Sequence, residues 1–177
     1  MTSEETQIMK KLIIVFLAVF FTACSTPKAP LPTVEKVNID KYLGTWYEIA
    51  RYEHYFEKGC SDISATYSLK EDGEIDVLNR CTKDGKLSEA NGIAYATDET
   101  SAKLKVSFFR PFYGNYWVLM LGNEYEYAVI GEPSREYFWI LSRTKTLDEE
   151  IKKKILLEMP KLGYQEDKLI WPQHSNN

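Results

Sequence analysis

The stretch that decides the fold is Tyr42-Leu43-Gly44-Thr45-Trp46-Tyr47-Glu48-Ile49-Ala50-Arg51, in which a glycine precedes an aromatic-rich run. This run predicts a first β-strand over residues 46–52. From Gly44 onward, turn-forming residues recur every 9 to 14 residues. They are Asp72-Gly73, Asp84-Gly85, Asp98-Glu99, Pro111 to Gly114, Gly122-Asn123 and Glu132-Pro133-Ser134. Such regular spacing is typical of an all-β sandwich or barrel.

Apolar and polar residues alternate between these turns. The run 103–108, for example, places Leu104, Val106 and Phe108 on one face of a strand. Eight strands are predicted, at residues 46–52, 61–70, 75–82, 88–97, 102–109, 115–121, 125–131 and 136–143. Eight antiparallel strands in up-and-down order can close on themselves, which removes the unpaired edges and leaves room inside for one small ligand. The sequence therefore predicts an all-β, eight-stranded antiparallel barrel.

One α-helix is predicted after the eighth strand, packed outside the barrel. Thr146-Leu147-Asp148-Glu149 has the pattern of a capping box, and apolar residues then repeat every four positions. The apolar residues are Leu147, Ile151, Ile155 and Met159, and the supporting i,i+4 pairs are Glu149/Lys153 and Glu150/Lys154. Pro160 and Gly163 are expected to end the helix. A short final strand is predicted at residues 168–171.

Composition argues against several classes of function. The 177 residues are 44% apolar, and their net charge of −4 provides no basic surface for nucleic acid. Two histidines are too few for a histidine-rich metal site, so no metal and no cofactor are expected. His54 lies in a predicted loop and His174 in a polar tail, with no nucleophile-elbow sequence nearby. The protein is therefore not expected to be an enzyme.

The N-terminus has the order of a secretory signal. Met9-Lys10-Lys11 forms a short basic region, residues 12–21 form an apolar run, and Thr22-Ala23-Cys24 places small residues before a cysteine. Residues 1–23 are therefore interpreted as a signal peptide. Translation beginning at Met9 is an alternative start, because the preceding acidic residues do not belong to such a signal.

The cysteine after this signal is the expected lipidation site. Residues 21–24 resemble the bacterial lipobox, which implies a diacylglycerol on Cys24. By resemblance to bacterial lipoproteins, Ser25 in the next position implies sorting to the outer membrane. Residues 24–37 contain three prolines and are predicted to form an extended spacer behind the lipid anchor.

Two cysteines remain after Cys24. Cys60 and Cys81 form an even pair in an oxidising compartment, so a disulfide between them is predicted. The alternative is two buried free thiols. Strict strand pairing through the Asp72-Gly73 turn would place Cys60 opposite Gly85, so a bridge requires a bulge or a loop that folds back.

Three short motifs, in this order, resemble those of the lipocalin family. They are Gly44-Thr45-Trp46, Asn123-Glu124-Tyr125 and Ile140-Leu141-Ser142-Arg143. The chain looks most like the bacterial outer-membrane lipocalins and their relative apolipoprotein D. The resemblance covers about residues 38–172 and implies a lipocalin domain there, followed by a polar tail at residues 173–177.

The same resemblance assigns Gly44, Trp46, Tyr125 and Arg143 as structural motif residues. In an up-and-down barrel the first strand starts at the end where the eighth strand finishes, so Arg143 is expected beside Trp46. A guanidinium can stack on the indole in a cation–π contact. The closed floor of the barrel is therefore expected at this end, and the open mouth at the other.

The interior inferred from alternation is largely uncharged. The expected ligand-binding residues are Ala50, Tyr67, Val77, Asn79, Leu104, Val106, Phe108, Tyr113, Tyr116, Val118 and Trp139. Among them, Tyr67, Asn79 and Tyr116 are expected to hydrogen-bond a ligand head group. Such a cup suits an amphiphile, and the family resemblance implies a fatty acid or a lysophospholipid. It also implies a role in membrane maintenance or lipid transport under stress.

Two other functions stay open at the level of sequence. Heme or another small hydrophobic molecule could fill the cup, with His54 or a tyrosine as an axial ligand to the iron. The domain could instead be a structural envelope lipoprotein with an incidental cavity. In each case the protein is expected to be lipid-anchored in the outer membrane, to face the periplasm and to be able to form a homodimer.

Overall fold

The computed structural model describes residues 29–175, so the predicted signal peptide (1–23) and Cys24 lie outside the described residues. This part holds two α-helices, α1 (Ile39–Tyr42) and α2 (Glu149–Leu162). It also holds two 3₁₀ turns, one at Tyr55–Glu57 in the first long loop and one at Glu166–Lys168 after α2. The strands are β1 (Gly44–Tyr52), β2 (Cys60–Leu69), β3 (Ile75–Lys83), β4 (Lys86–Ala96), β5 (Lys103–Phe109), β6 (Phe112–Leu121), β7 (Tyr127–Gly131), β8 (Phe138–Ser142) and β9 (Leu169–Ile170).

The strands form a closed antiparallel barrel. Each of β1 to β7 pairs with the next strand along the chain, and β1 also pairs with β8. β9 adds to β1, where Arg51 lies opposite Ile170. The predicted fold class is confirmed, because alternation and turn residues had placed every strand of the barrel to within three residues of its observed bounds.

Buried apolar side chains form two separate clusters. One fills the closed end inside the barrel and includes Trp46, Val118 and Ile130. The other lies between the outer face of the barrel and α2, and includes Ile155 and Met159 of the helix. The helix thus covers one outer face of the barrel, as its apolar repeat predicted, and leaves the interior to the strands.

A bulge in β1 changes which residues face the interior. The pairing with β8 shifts by one residue between Glu48 and Ala50. Ala50 was predicted to line the interior, and this is wrong, because Ala50 is packed in the cluster under α2. Beyond the bulge it is Arg51 that lies opposite Trp139. Strict alternation fails here because the extra residue reverses the parity of the strand.

The helix α2 starts and ends differently from the prediction. Asp148, not Thr146, is the N-cap, and its carboxylate accepts hydrogen bonds from the amides of Glu150 and Ile151. Pro160 lies within the helix instead of ending it, and Gly163 ends it with a left-handed φ of +84°. The charged pairs form at i,i+3, as in Lys152–Glu149, Lys153–Glu150 and Lys161–Glu158. In the described part of the chain, no helix is both long and apolar enough to cross a membrane.

The packed domain extends beyond the predicted limits of residues 38–172. Leu31 and Val37 are buried, although they belong to the predicted spacer. At the other end of the chain, Ser175 donates hydrogen bonds from its amide and hydroxyl to the Asp62 carboxylate. The first segment was predicted as an extended spacer and the second as a polar tail because neither has apolar periodicity, but burial and several hydrogen bonds hold both on the barrel.

A disulfide joins Cys60 of β2 to Cys81 of β3, with a Cα–Cα distance of 5.5 Å. The register of these strands shifts between Ser61 and Ser64, so Cys60 lies opposite Lys83 and two residues from its partner. The predicted pairing and the bulge that it requires are both confirmed.

The floor of the barrel is held by Arg143. Its guanidinium carbon lies 3.8 Å from the centroid of the Trp46 ring, which confirms the predicted cation–π contact. The same guanidinium donates to the carbonyl oxygens of Lys41, Tyr42 and Thr45, and its Nε donates to that of Tyr125. One side chain therefore joins α1, β1 and the β6–β7 turn.

Replacing either partner of this contact should weaken the whole fold. Trp46→Ala should lower the free energy of unfolding by about 3–5 kcal/mol, because it empties a fully buried site. Arg143→Lys should cost about 1–2 kcal/mol, since an ammonium can neither stack as a guanidinium does nor reach several carbonyls. Urea denaturation followed by circular dichroism measures both losses.

The matched control is Arg80→Lys, which changes an exposed arginine paired with Glu89. It should shift the free energy of unfolding by less than about 0.5 kcal/mol. Equal losses for Arg80→Lys and Arg143→Lys would contradict the role given to Arg143.

Candidate ligand-binding cavity

The barrel encloses a cavity of about 570 Å³. Its walls come from six of the eight barrel strands, β1, β2, β3, β5, β6 and β8, and are mostly apolar. Eight of the residues predicted to bind ligand line this cavity, namely Tyr67, Val77, Asn79, Val106, Phe108, Tyr113, Tyr116 and Trp139. Alternation along the strands therefore brings these side chains together, whatever they bind.

Three of the predicted residues are elsewhere. Ala50 is outside under α2, as described above. Val118 is fully buried in the cluster at the closed end. Leu104 lines a separate pocket of about 10 Å³ near α1, which holds no more than one water molecule. Val118 and Leu104 do face inward, but the core at the closed end fills the space beside them.

Three tyrosines close the bottom of the cavity. The Tyr116 hydroxyl lies 2.7 Å from the Tyr42 hydroxyl and 3.0 Å from the Tyr67 hydroxyl. Burial raises the pKa of all three, and that of Tyr67 to about 12, so they remain neutral. Their hydroxyls bond to one another, whereas the amide oxygen of Asn79 has no hydrogen-bond partner among the described residues.

Aromatic side chains surround the mouth. Phe109 and Phe112 stack with ring centroids 6.2 Å apart and are 76% and 70% exposed. Phe56 and Tyr137 complete this rim on the opposite side and also line the cavity. The entrance is therefore apolar as well as open.

A charged wall that alternation did not predict lies beside Trp139. Glu48 is buried and lines the cavity, and its Oε1 accepts a hydrogen bond of 2.7 Å from Arg51. Arg51 also donates to the backbone oxygen of Glu57, a residue that lines the cavity as well. Glu48 could have been predicted to face the interior, because it shares a strand face with Trp46. Glu57 could not, since a 3₁₀ turn carries it inward and has no periodic pattern.

The ionisation of this wall is set by burial. Burial and the neighbouring Glu57 raise the pKa of Glu48 to about 8, against the opposing effect of Arg51. Burial also raises the pKa of Glu57. Both shifts in pKa favour the protonated form, and the two carboxyl groups share a hydrogen bond.

His54 belongs to the same wall. It was expected in an exposed loop, but it is buried and its ring stacks on Phe56 with centroids 4.2 Å apart. Trp139 covers it from another side at 5.1 Å. Burial, together with Arg51, lowers the pKa of His54 to about 4, so the imidazole is neutral at pH 7.

The closed barrel, its capped floor and its apolar cavity define a binding protein for a small hydrophobic molecule. The sequence-family model described as a lipocalin-like domain matches residues 37–174, so the chain belongs to the lipocalin family. Members of this family are binding proteins and not enzymes. The resemblance predicted from three short motifs is thereby confirmed.

Two relatives resemble the chain along most of its length. It is 44% identical over 170 residues to the outer membrane lipoprotein Blc of Citrobacter freundii, which covers 93% of this chain and 96% of the relative. It is 42% identical over 154 residues to temperature-induced lipocalin-1 of Arabidopsis thaliana, covering 81% and 83%. Insecticyanin from the tobacco hornworm Manduca sexta shares the fold, with a TM-score of 0.70 at 20% identity, over 84% of this chain and 86% of that one.

His54 should make the protein sensitive to acid. Its folded pKa lies below the ordinary value of 6.5, so the unfolded chain binds the proton more readily and stability falls as pH drops from 6.5 towards 4. His54→Phe should recover about 2 kcal/mol of unfolding free energy at pH 4.5 relative to the wild type. At pH 7 the His54→Phe substitution should change the free energy of unfolding very little, because neither ring nitrogen of His54 has a hydrogen-bond partner among the described residues.

Urea denaturation at pH 7 and pH 4.5 measures this difference. His174→Gln changes the other histidine of the sequence and is the control. An acid loss that disappears in His174→Gln but persists in His54→Phe would contradict the assignment.

Proposed function

We propose that this lipocalin binds an amphiphilic lipid, a fatty acid or a lysophospholipid, in its barrel cavity and serves membrane maintenance or lipid transport. The observation that carries the proposal is the cavity of about 570 Å³, with apolar walls, polar groups confined to a few positions and an aromatic mouth. This volume is within the range of about 300–1,000 Å³ that is usual for small-molecule sites.

The energetics favour an acyl chain. Burial of ten to sixteen methylenes contributes roughly 8–13 kcal/mol at about 0.8 kcal/mol each. Several kcal/mol are lost on association, which leaves enough free energy for micromolar binding. Heme fits less well, because the imidazole of His54 is covered by Phe56 and Trp139 and an axial bond would require both to move.

The proposed location is the outer membrane, with a lipid on Cys24 and the domain facing the periplasm. The relative from Citrobacter freundii is called an outer membrane lipoprotein, and the pair Cys24-Ser25 supports the same location for this protein. Leu31 is the first buried residue of the described part of the chain, so at most residues 24–30 separate Cys24 from the packed domain, a length of about 20 Å when fully extended. A homodimer stays a prediction, to be checked by sedimentation equilibrium.

Trp139 should report ligand binding. Palmitate is expected to change tryptophan fluorescence in a saturable way, because Trp139 lines the cavity. Trp139→Phe should remove most of the signal. Trp171→Phe is the control and should keep it, since Trp171 contacts Lys152 on the helix side.

Val106→Lys should abolish this binding by placing an unpaired ammonium in the apolar wall, at a cost of several kcal/mol. Circular dichroism shows whether the variant is folded. A folded Val106→Lys protein that binds palmitate with unchanged affinity would refute the internal site.

Cys24→Ser should prevent lipidation and release the protein from the membrane fraction, because stable anchoring depends on the acyl chains. Fractionation of cells followed by immunoblotting measures the distribution. A variant that matures normally and stays with outer-membrane vesicles would contradict the anchor.

A further inference from the structure

The strand β1 has β2 beside it for only part of its length. It pairs with β2 as far as Tyr47 and Ser64. Beyond Tyr47 the neighbour on that side is β9, where Ile170 lies opposite Arg51. β2 nevertheless continues past Ser64, paired with β3. The two strands therefore separate towards the mouth and leave a lateral gap in the barrel wall, and we call residues 169–175, which lie in this gap, the C-terminal strap.

The C-terminal strap bonds to both sides of the gap. On the β2 side, the amide of Asp62 donates a hydrogen bond of 2.9 Å to the carbonyl oxygen of Gln173. The Asp62 carboxylate accepts from the amide and the hydroxyl of Ser175, at 2.6 and 2.8 Å. On the β1 side, a ring nitrogen of His174 lies 2.7 Å from the carbonyl oxygen of Glu48. The strap therefore joins the two strands where they no longer pair with each other.

The backbone of β2 is distorted at the point where it meets the strap. The register with β3 shifts between Ser61 and Ser64, and Asp62 within this shift has a φ of +50°. A residue with a side chain is uncommon in this left-handed region and is held there by its surroundings. Here the surroundings include Gln173 and Ser175, which bond to the amide and the carboxylate of Asp62. The bulge thus presents both groups of Asp62 to the strap.

The ligand cavity lies behind the gap. Glu48 on the β1 side and Ile63 and Ser64 on the β2 side line the cavity, whereas no residue of the strap does. Between them Arg51 donates to the Glu48 carboxylate and to the backbone oxygen of Glu57. The wall at this position therefore has a polar inner layer of side chains and the strap as its outer layer.

The C-terminal strap is held less firmly than the strands that it joins. Residues 171–175 alternate between exposed and half-buried, and no residue of the strap is fully buried. Strand pairing within the strap is confined to Leu169 and Ile170. No helix or strand follows it in the described part of the chain, so it can leave while β1 keeps its pairing with β8. Segments with few buried contacts open at a much lower free-energy cost than the core.

We propose that the C-terminal strap is a gate, which seals the lateral gap between β1 and β2 while it is bound and opens a side route into the cavity when it is released. This inference rests on the proposed function, because the gate acts on a lipid held in the cavity. The inner layer does not replace the seal, since water solvates the charged groups of Glu48, Arg51 and Glu57 once the strap has left. The side route adds to the mouth, so lipid entry and lipid exit become faster together.

A gate differs kinetically from a segment that only supports the binding site. Because the strap does not line the cavity, its removal should change the equilibrium affinity for palmitate by less than about threefold. The association and dissociation rate constants should both rise about tenfold. Loss of a merely supporting segment would instead weaken the affinity through faster dissociation, with an unchanged association rate constant.

Two shortened chains test the gate. A chain that ends after Pro172 lacks Gln173, His174 and Ser175 but keeps β9, and the matched control ends after Ser175 and should behave like the wild type. Stopped-flow fluorescence of Trp139 measures palmitate association, and mixing of the loaded protein with phosphatidylcholine vesicles measures dissociation.

In the folded chain that ends after Pro172, unchanged rate constants would overturn the gate and leave lipid binding intact. A weaker affinity with an unchanged association rate constant would do the same. Failure of the wild type to bind palmitate would overturn both the gate and the proposed function. Circular dichroism shows whether each shortened chain is folded.

Substitution of Asp62 tests the gate in the full chain. Asp62→Gly removes the carboxylate that holds Ser175, and glycine takes a φ of +50° without strain, so the bulge is kept. Both rate constants should rise about fivefold. Asp62→Asn keeps the Oδ1 acceptor and should behave like the wild type. Equal rate constants for Asp62→Gly and Asp62→Asn would refute the gate, and this comparison decides if the chain that ends after Pro172 does not fold.

Discussion

The structure depends on β1 pairing with two neighbours at once. Its first half hydrogen-bonds to β2 and its second half to β8, so this strand closes the barrel. A strand of strict period would show one set of residues to the interior along its whole length. The bulge after Glu48 interrupts that period and lets the same strand contribute Trp46 to the floor and Arg51 to the charged wall.

This closure divides the interior into layers of different chemistry. The floor is apolar and capped by Arg143, the three tyrosines above it are neutral and mutually bonded, and the wall beside Trp139 carries carboxyl groups. The cavity thus presents apolar surface over most of its depth, and its carboxyl groups are confined to one wall. The layering separates the apolar surface, whose burial favours a hydrophobic molecule, from the polar groups that can discriminate between such molecules.

The helix α2 and the two terminal segments pack on the outer face of the barrel and stabilise this arrangement. The helix α2 buries one outer face, while the segments before α1 and after β9 bond directly to the barrel. Ser175 is tied to Asp62, and the His174 ring nitrogen lies 2.7 Å from the carbonyl oxygen of Glu48. The backbone behind the charged wall is therefore held by the C-terminal segment, even though that segment reads as a polar tail.

The number and order of strands and the helix were determined by the sequence itself, because turn residues and alternation are local signals. The disulfide followed from the even pair of cysteines that remains after Cys24. The contact of Arg143 with Trp46 was also determined by the sequence, since in an eight-stranded up-and-down barrel the start of the first strand and the end of the last lie at the same end. The charged wall was decided only by the tertiary structure. A bulge moved Ala50 out and Arg51 in, and a 3₁₀ turn carried Glu57 to the cavity. Neither feature has a periodic pattern, because each depends on how neighbouring strands and loops pack once the barrel has closed.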